Sequence, residues 1–157
     1  MYPYNIDKPI QKASPDGTFP EPISSDERLL ELLIIAMEYE VDQATKYKQM
    51  AEATTDEESK DMLRSMYLDE NRHKVLLNEI YTQLSGSGAP EIVPEEITLS
   101  ENFDSELKRN IVWEIEEAEF YRDLTLMLDE DYLKDILQSI LNDEQNHAIL
   151  NTYLLIN

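Results

Sequence analysis

The chain has 157 residues, no cysteine, and a formal net charge of −21 from 34 acidic and 13 basic side chains. The missing thiols exclude disulfides, thiolate metal sites and iron–sulfur clusters within this sequence, and the charge repels nucleic-acid phosphates and anionic membrane surfaces, leaving cations as the expected partners. Only three glycines, an abundance of Leu, Ile, Met, Glu and Lys, and no stretch approaching the roughly 18 apolar residues that span a bilayer together point to one all-α, cytoplasmic domain.

Residues 1–23 carry Pro3, Pro9, Pro15, Pro20 and Pro22 with Gly17, Tyr2 and Tyr4 and show no sustained period, so an irregular N-terminal arm is expected there. Ser24-Ser25-Asp26-Glu27 reads as a capping box that opens a first helix over about 25–53. Along it Leu33, Met37, Glu40, Ala44, Tyr47 and Ala51 step alternately by four and three, the inward seam of a bundle helix, with Glu40 interrupting an otherwise apolar row. Thr55-Asp56-Glu57-Glu58 supplies a second capping box, with Thr55 as the cap. The second helix then places Leu63, Met66, Glu70, His73, Leu77 and Ile80 inward before Ser85-Gly86 stops it.

Residues 85–102 contain Gly86, Gly88, Pro90 and Pro94 and cannot continue a helix. Eighteen residues reach roughly 60 Å when extended, more than the roughly 42 Å of a 28-residue helix, so this segment can cross the bundle from end to end and leave the second and third helices parallel. The same segment can also hand the second half to a neighbouring chain, giving a swapped homodimer. A third helix over about 103–128 has Leu107, Ile111, Glu114, Ala118, Tyr121, Thr125 and Leu128 on its seam. With Asp129 as cap, a fourth over about 130–155 lines up Leu133, Leu137, Ile140, Glu144, His147, Asn151 and Leu154. The bundle thus occupies 24–157, with helix pairs at 24–84 and 103–157.

The two pairs are copies. A shift of 74 places lays Glu27–Gln83 over Glu101–Asn157 without a gap and matches Glu40 with Glu114, Ala44 with Ala118, Tyr47 with Tyr121, Asp69 with Asp143, Glu70 with Glu144 and His73 with His147. Both histidines of the protein lie in Glu-x-x-His units, Glu70 to His73 and Glu144 to His147, a spacing that puts both side chains on one helix face within reach of one ion.

Four carboxylates and two imidazoles in the middle of an apolar seam cost several kcal/mol per unpaired ion. Two divalent cations balance the four Glu charges, and an oxygen-rich, nitrogen-poor ligand set suits iron or manganese.

One Glu from each of two helices and Glu-x-x-His from each of the other two resembles the ferritin-like di-iron carboxylate superfamily. The 30-residue step from Glu40 to Glu70 and from Glu114 to Glu144 is similar to its rubrerythrin branch, over about residues 25–157. The resemblance implies a ferritin-like antiparallel four-helix bundle with two irons, or manganese. In it Glu70 and Glu144 bridge the metals, Glu40 and His73 complete one shell, and Glu114 and His147 the other. It also gives Glu117, which stands where the first copy has Gln43, the role of an extra carboxylate beside the metals. Tyr47 and Tyr121, two turns after Glu40 and Glu114, are expected to donate hydrogen bonds to ligating carboxylates of a facing helix, and Asp69 and Asp143 to orient the histidine of the opposite half. Glu38, Glu116 and Glu119 lie off the seam, and Trp113 reads as packing.

The implied activity is that of an oxidoreductase, a peroxidase or ferroxidase that reduces hydrogen peroxide or oxidises Fe(II) with O₂. With no cysteine-rich electron-transfer domain in this sequence, a peroxidase would need an external electron donor. Two other readings fit the same residues: a metal-binding or iron-storage protein without sustained turnover, and a structural helical bundle.

Overall fold

The computed structural model describes residues 25–94, 96–100 and 102–157. The expected arm at 1–23 and the Ser24 cap lie outside them. The described residues form four helices: α1 (Ser25–Ala53), α2 (Glu57–Ser85), α3 (Phe103–Met127) and α4 (Asp131–Ile156). Among the described residues no helix is long and apolar enough to cross a membrane.

The helix ends follow from local chemistry. Asp56, not Thr55, caps α2, its Oδ2 accepting the Ser59 backbone N–H at 2.8 Å. The matching start of α4 falls at Glu130, not Asp129, and Glu130 makes no side-chain cap bond. Both caps therefore sit one residue later than the capping-box spacing suggests. Where the first copy has Asp at that position, the second has Glu, which is not among the preferred cap residues. Asn102 caps α3 by accepting from the Ser105 N–H at 3.0 Å. At the end of α2, Gly86 takes φ 78° and donates its N–H to the Thr82 carbonyl, a left-handed stop that glycine enters without steric cost.

Two apolar clusters fix the topology. One joins the start of α1 (Leu29, Leu33, Met37), the end of α2 (Leu77, Ile80), the end of α3 (Tyr121, Leu124) and the start of α4 (Leu133, Leu137, Ile140). The other joins the end of α1 (Tyr47, Met50, Ala51) to the starts of α2 (Leu63, Met66) and α3 (Leu107). Helices α2 and α3 thus begin at the same end and run parallel, while α1 is antiparallel to α2 and α3 to α4. The crossover spans the length of the bundle: its first part, Ala89 and Ile92, packs on the first cluster, and Leu99 packs on the second. The helix pairs α1–α2 and α3–α4 pack intimately and meet each other mainly through α2 and α4. This is a four-helix bundle of duplicated pairs.

In α3 the buried stripe drifts from the expected seam. Asn110 and Leu124 are buried, whereas Ile111 and Thr125 are only half-buried. A straight helix at 3.6 residues per turn slips against a strict alternation of three and four. Trp113 packs edge-on against Tyr39 at 5.5 Å between ring centroids.

Candidate metal centre

Between the two apolar clusters every helix turns carboxyl or imidazole groups inward. Glu40 of α1, Glu70 and His73 of α2, Glu114 of α3, and Glu144 and His147 of α4 are all no more than 2% exposed. The three-residue spacing brings each pair onto one face: His73 Nδ1 lies 3.1 Å from Glu70 Oε2, and His147 Nδ1 3.1 Å from Glu144 Oε2.

The halves interlock. His73 Nδ1 is also 3.3 Å from Glu40 Oε2 and 2.9 Å from Glu144 Oε1. His147 Nδ1 is also 3.1 Å from Glu70 Oε1 and 3.7 Å from Glu114 Oε2. Two overlapping groups result, Glu40–Glu70–His73–Glu144 and Glu70–Glu114–Glu144–His147, each offering ligand atoms within 4.8 Å of one another, with Glu70 and Glu144 common to both.

An imidazole nitrogen carries one proton or one lone pair, so it cannot satisfy three carboxylates at once. Glu70 Oε1, Glu114 Oε2 and Glu144 Oε1 are buried without a hydrogen-bond partner. A cation in each group would supply what a proton cannot, and four carboxylates match the charge of two divalent ions. The donor set fits a dinuclear metal group.

The electrostatics show the same deficit. Burial pushes the Glu70 carboxyl well above its ordinary range, and the neighbouring Glu144 adds to the rise. Glu144 is pushed up to about 7 by burial and by Glu40. Burial pulls the His73 imidazole down, but the carboxylates of Glu144, Glu40 and Glu70 outweigh it and hold the ring above its usual pKa. His147 is raised in the same way, with Asp69, Glu114, Glu144 and Glu70 overcoming burial.

Around these six, further polar side chains lie crossed between the halves. Tyr47 of α1 donates to Glu114 Oε1 of α3, and Tyr121 of α3 donates to Glu40 Oε1 of α1. Burial and the adjacent glutamates raise both phenols well above their usual pKa, so each stays a neutral O–H donor. Asp143 Oδ2 is hydrogen-bonded to His73 Nε2 at 3.3 Å, whereas Asp69 Oδ2 lies 3.5 Å from His147 Nε2 without a hydrogen bond. Glu117 is buried with Oε1 unpartnered, and burial together with Glu114 raises its carboxyl well above the ordinary range. Glu38 is exposed, and Glu116 and Glu119 are half-buried.

Four further residues beside the site stand outside the ligand spacing. Gln43 Nε2 donates to Glu114 Oε1 at 3.1 Å. Arg72 Nη2 reaches Asp143 Oδ2 at 2.6 Å and Asp69 Oδ1 at 3.3 Å, tying together the two aspartates that face the histidines. Asn151 Nδ2 donates to the Tyr47 oxygen at 2.7 Å, and Asn110 Nδ2 donates to Asn151 Oδ1 at 3.2 Å. All four are places where the two copies differ: Gln43 answers to Glu117, Arg72 to Asn146, Asn110 to Ala36 and Asn151 to Leu77. That mismatch was a readable signal.

A solved structure of a hypothetical protein from Pyrococcus furiosus is similar to this one, with a TM-score of 0.67 and 25% sequence identity, covering 81% of this chain and 87% of that chain. No curated protein matches the sequence. Residues 31–153, which contain all six inward-facing glutamates and histidines and three of the four helices whole or nearly so, match the Rubrerythrin family model, and the chain belongs to that family.

Proposed function

We propose that this chain is a rubrerythrin-like non-haem di-iron oxidoreductase that reduces hydrogen peroxide or oxidises Fe(II). Glu40, Glu70 and His73 with Glu144 would hold one ion, and Glu114, Glu144 and His147 with Glu70 the other, Glu70 and Glu144 being common to both groups. The observation that carries the reading is the convergence of three carboxylates on each histidine Nδ1 at the distances above, which protons alone leave unsatisfied.

The chemistry two ferrous ions would supply there, when bound, is a pair of electrons for peroxide or O₂. The protein's own contribution is positional. Asp143 holds the His73 imidazole by its Nε2 edge so that Nδ1 points inward, and Asp69 stands 3.5 Å from the corresponding edge of His147. Tyr47 and Tyr121 hold one oxygen of Glu114 and Glu40 and leave the other free to ligate. Glu117 is a further carboxylate within the same buried zone and would add a ligand when the charge of the site changes. The apolar clusters at either end keep bulk water from the centre. Manganese satisfies the same donors.

The test is metal content per chain after anaerobic Fe(II) loading, with absorbance followed on adding H₂O₂ and then O₂. Two irons per chain and rapid oxidation by peroxide, repeated when an external reductant is supplied, is the expected result. A single oxidation with no re-reduction under any donor would instead mark a metal-binding or storage protein. Failure to bind metal beyond a Glu70→Ala, Glu144→Ala control would overturn the di-iron reading.

A further inference from the structure

The two copies supply matching ligands but unlike surroundings. On the Tyr47 side the phenol is held at both ends: its hydrogen goes to Glu114, and its oxygen accepts from Asn151. The orientation of the Asn151 amide is fixed by its neighbours, because its Nδ2 lies between two acceptors, the Tyr47 oxygen at 2.7 Å and the His147 carbonyl at 2.9 Å, while its Oδ1 accepts from Asn110 at 3.2 Å. Asn110 and Asn151 are both 0% exposed and lie against Met50 and Met66 of the second apolar cluster. Two buried amides in an apolar wall are costly unless they are used.

The other copy dispenses with them. Ala36 and Leu77 stand at the corresponding positions, buried in the same cluster as Tyr121, and among the described residues no side chain donates to the Tyr121 oxygen. Glu114 Oε1 moreover receives Gln43 at 3.1 Å in addition to Tyr47. The position corresponding to Gln43 is Glu117, which as a carboxylate has no N–H to give Glu40.

We infer that Asn151, anchored by Asn110, is a positioning residue that acts through Tyr47 on Glu114, so that the pair supports the metal position of Glu114 and His147 and not that of Glu40 and His73. The asparagines touch no ligating atom of the site. Their effect is to stop the Tyr47 phenol from rotating, so that Glu114 Oε1 stays engaged and Oε2 is the oxygen that would be left to hold an ion. The inference rests on the two-metal reading above.

Cobalt(II) titration, followed by its visible absorption and by equilibrium dialysis, tests it without any turnover. The double substitution N110A/N151L gives this half the residues of the other and removes both amides, so neither is left orphaned. It is compared in two backgrounds, each with one metal position disabled. In His73→Gln, where the Glu114–His147 position remains, N110A/N151L is expected to weaken cobalt binding about tenfold, the lower end of what outer hydrogen bonds to ligands contribute. In His147→Gln, where the Glu40–His73 position remains, it is expected to change nothing.

Tyr47→Phe should cause the same selective loss, and adding N110A/N151L to Tyr47→Phe should cause no further loss, because the asparagines act through that hydroxyl. If the double substitution does not fold, Asn151→Asp, which keeps the size of the side chain but gives no N–H to the Tyr47 oxygen, provides the same comparison in the two backgrounds. Equal losses in both backgrounds, or additive losses with Tyr47→Phe, would mean that the asparagines only stabilise the bundle, and would overturn the inference while leaving the two-metal reading intact. A wild-type chain that binds no cobalt would overturn the two-metal reading itself and this inference with it.

Discussion

Asp143, on α4, faces the histidine of the other half: its Oδ2 lies 3.3 Å from His73 Nε2. Asp69 on α2 returns the arrangement to His147 at 3.5 Å, and Arg72 bridges the two aspartates from the surface. Each Glu-x-x-His unit is thus followed outward by a carboxylate that the opposite unit supplies. Asp143→Asn keeps the size of the side chain but removes the charge that fixes the imidazole tautomer, and about a tenfold weaker affinity for one metal is expected, read by dialysis against a chelator.

Glu70→Ala removes an oxygen pair shared by both groups. It should abolish occupancy of both positions, where His73→Gln should abolish only one. In the metal-free protein the same change relieves a buried carboxylate whose ionisation burial opposes, so the apo form should be no less stable than wild type, and the loaded form less. Parallel thermal melts with iron and with chelator check both halves of this expectation.

The metal-free protein should lose stability as pH rises. Glu70 and Glu144 have folded pKa values raised above the ordinary carboxylate value, Glu144 to about 7, and both histidines are raised as well. Groups raised in the folded state contribute stability that is complete below their unfolded pKa and is lost as pH climbs through the folded one. Between about pH 4.5 and 7 the melting temperature of the chelated protein should therefore fall through the glutamates. Metal must displace those protons, so the stabilisation by added Fe(II) or Mn(II) should grow over the same interval. A melting temperature of the chelated protein that rises with pH would contradict the raised carboxyls.

Asp56 works in the opposite sense. Its hydrogen bond from Ser59 lowers its carboxyl pKa, so the cap stabilises α2 above the unfolded value and is lost as pH falls through the folded one. Asp56→Ala should lower the melting temperature at pH 7, with the difference from wild type closing in acid below about pH 3.8.

The sequence by itself determined the helices and the symmetry of the centre. A 74-residue repeat, a three-residue spacing of Glu and His, and a seam of alternating threes and fours are properties of the chain written in one dimension, and helix geometry converts them directly into shared faces. They brought Glu40, Glu70, His73, Glu114, Glu144 and His147 into one list, and the structure brings the same six into one buried zone. Local choices were less legible: the caps at Asp56 and Glu130 depend on one residue of register, and two adjacent capping candidates look alike until the backbone selects between them.

What only the tertiary structure decided is the set of contacts made across helices. That Tyr47 serves Glu114 and Tyr121 serves Glu40, and that Arg72 joins Asp69 to Asp143, depend on how the two pairs are rotated against each other. No spacing along one chain encodes that rotation, because it is set by the packing of α2 on α4 and of the clusters at either end. The asparagines show the same limit from the other side. Asn151 could be placed on the inward seam from its number alone, but its use appears only when Tyr47, three helices earlier in the chain, is found 2.7 Å away.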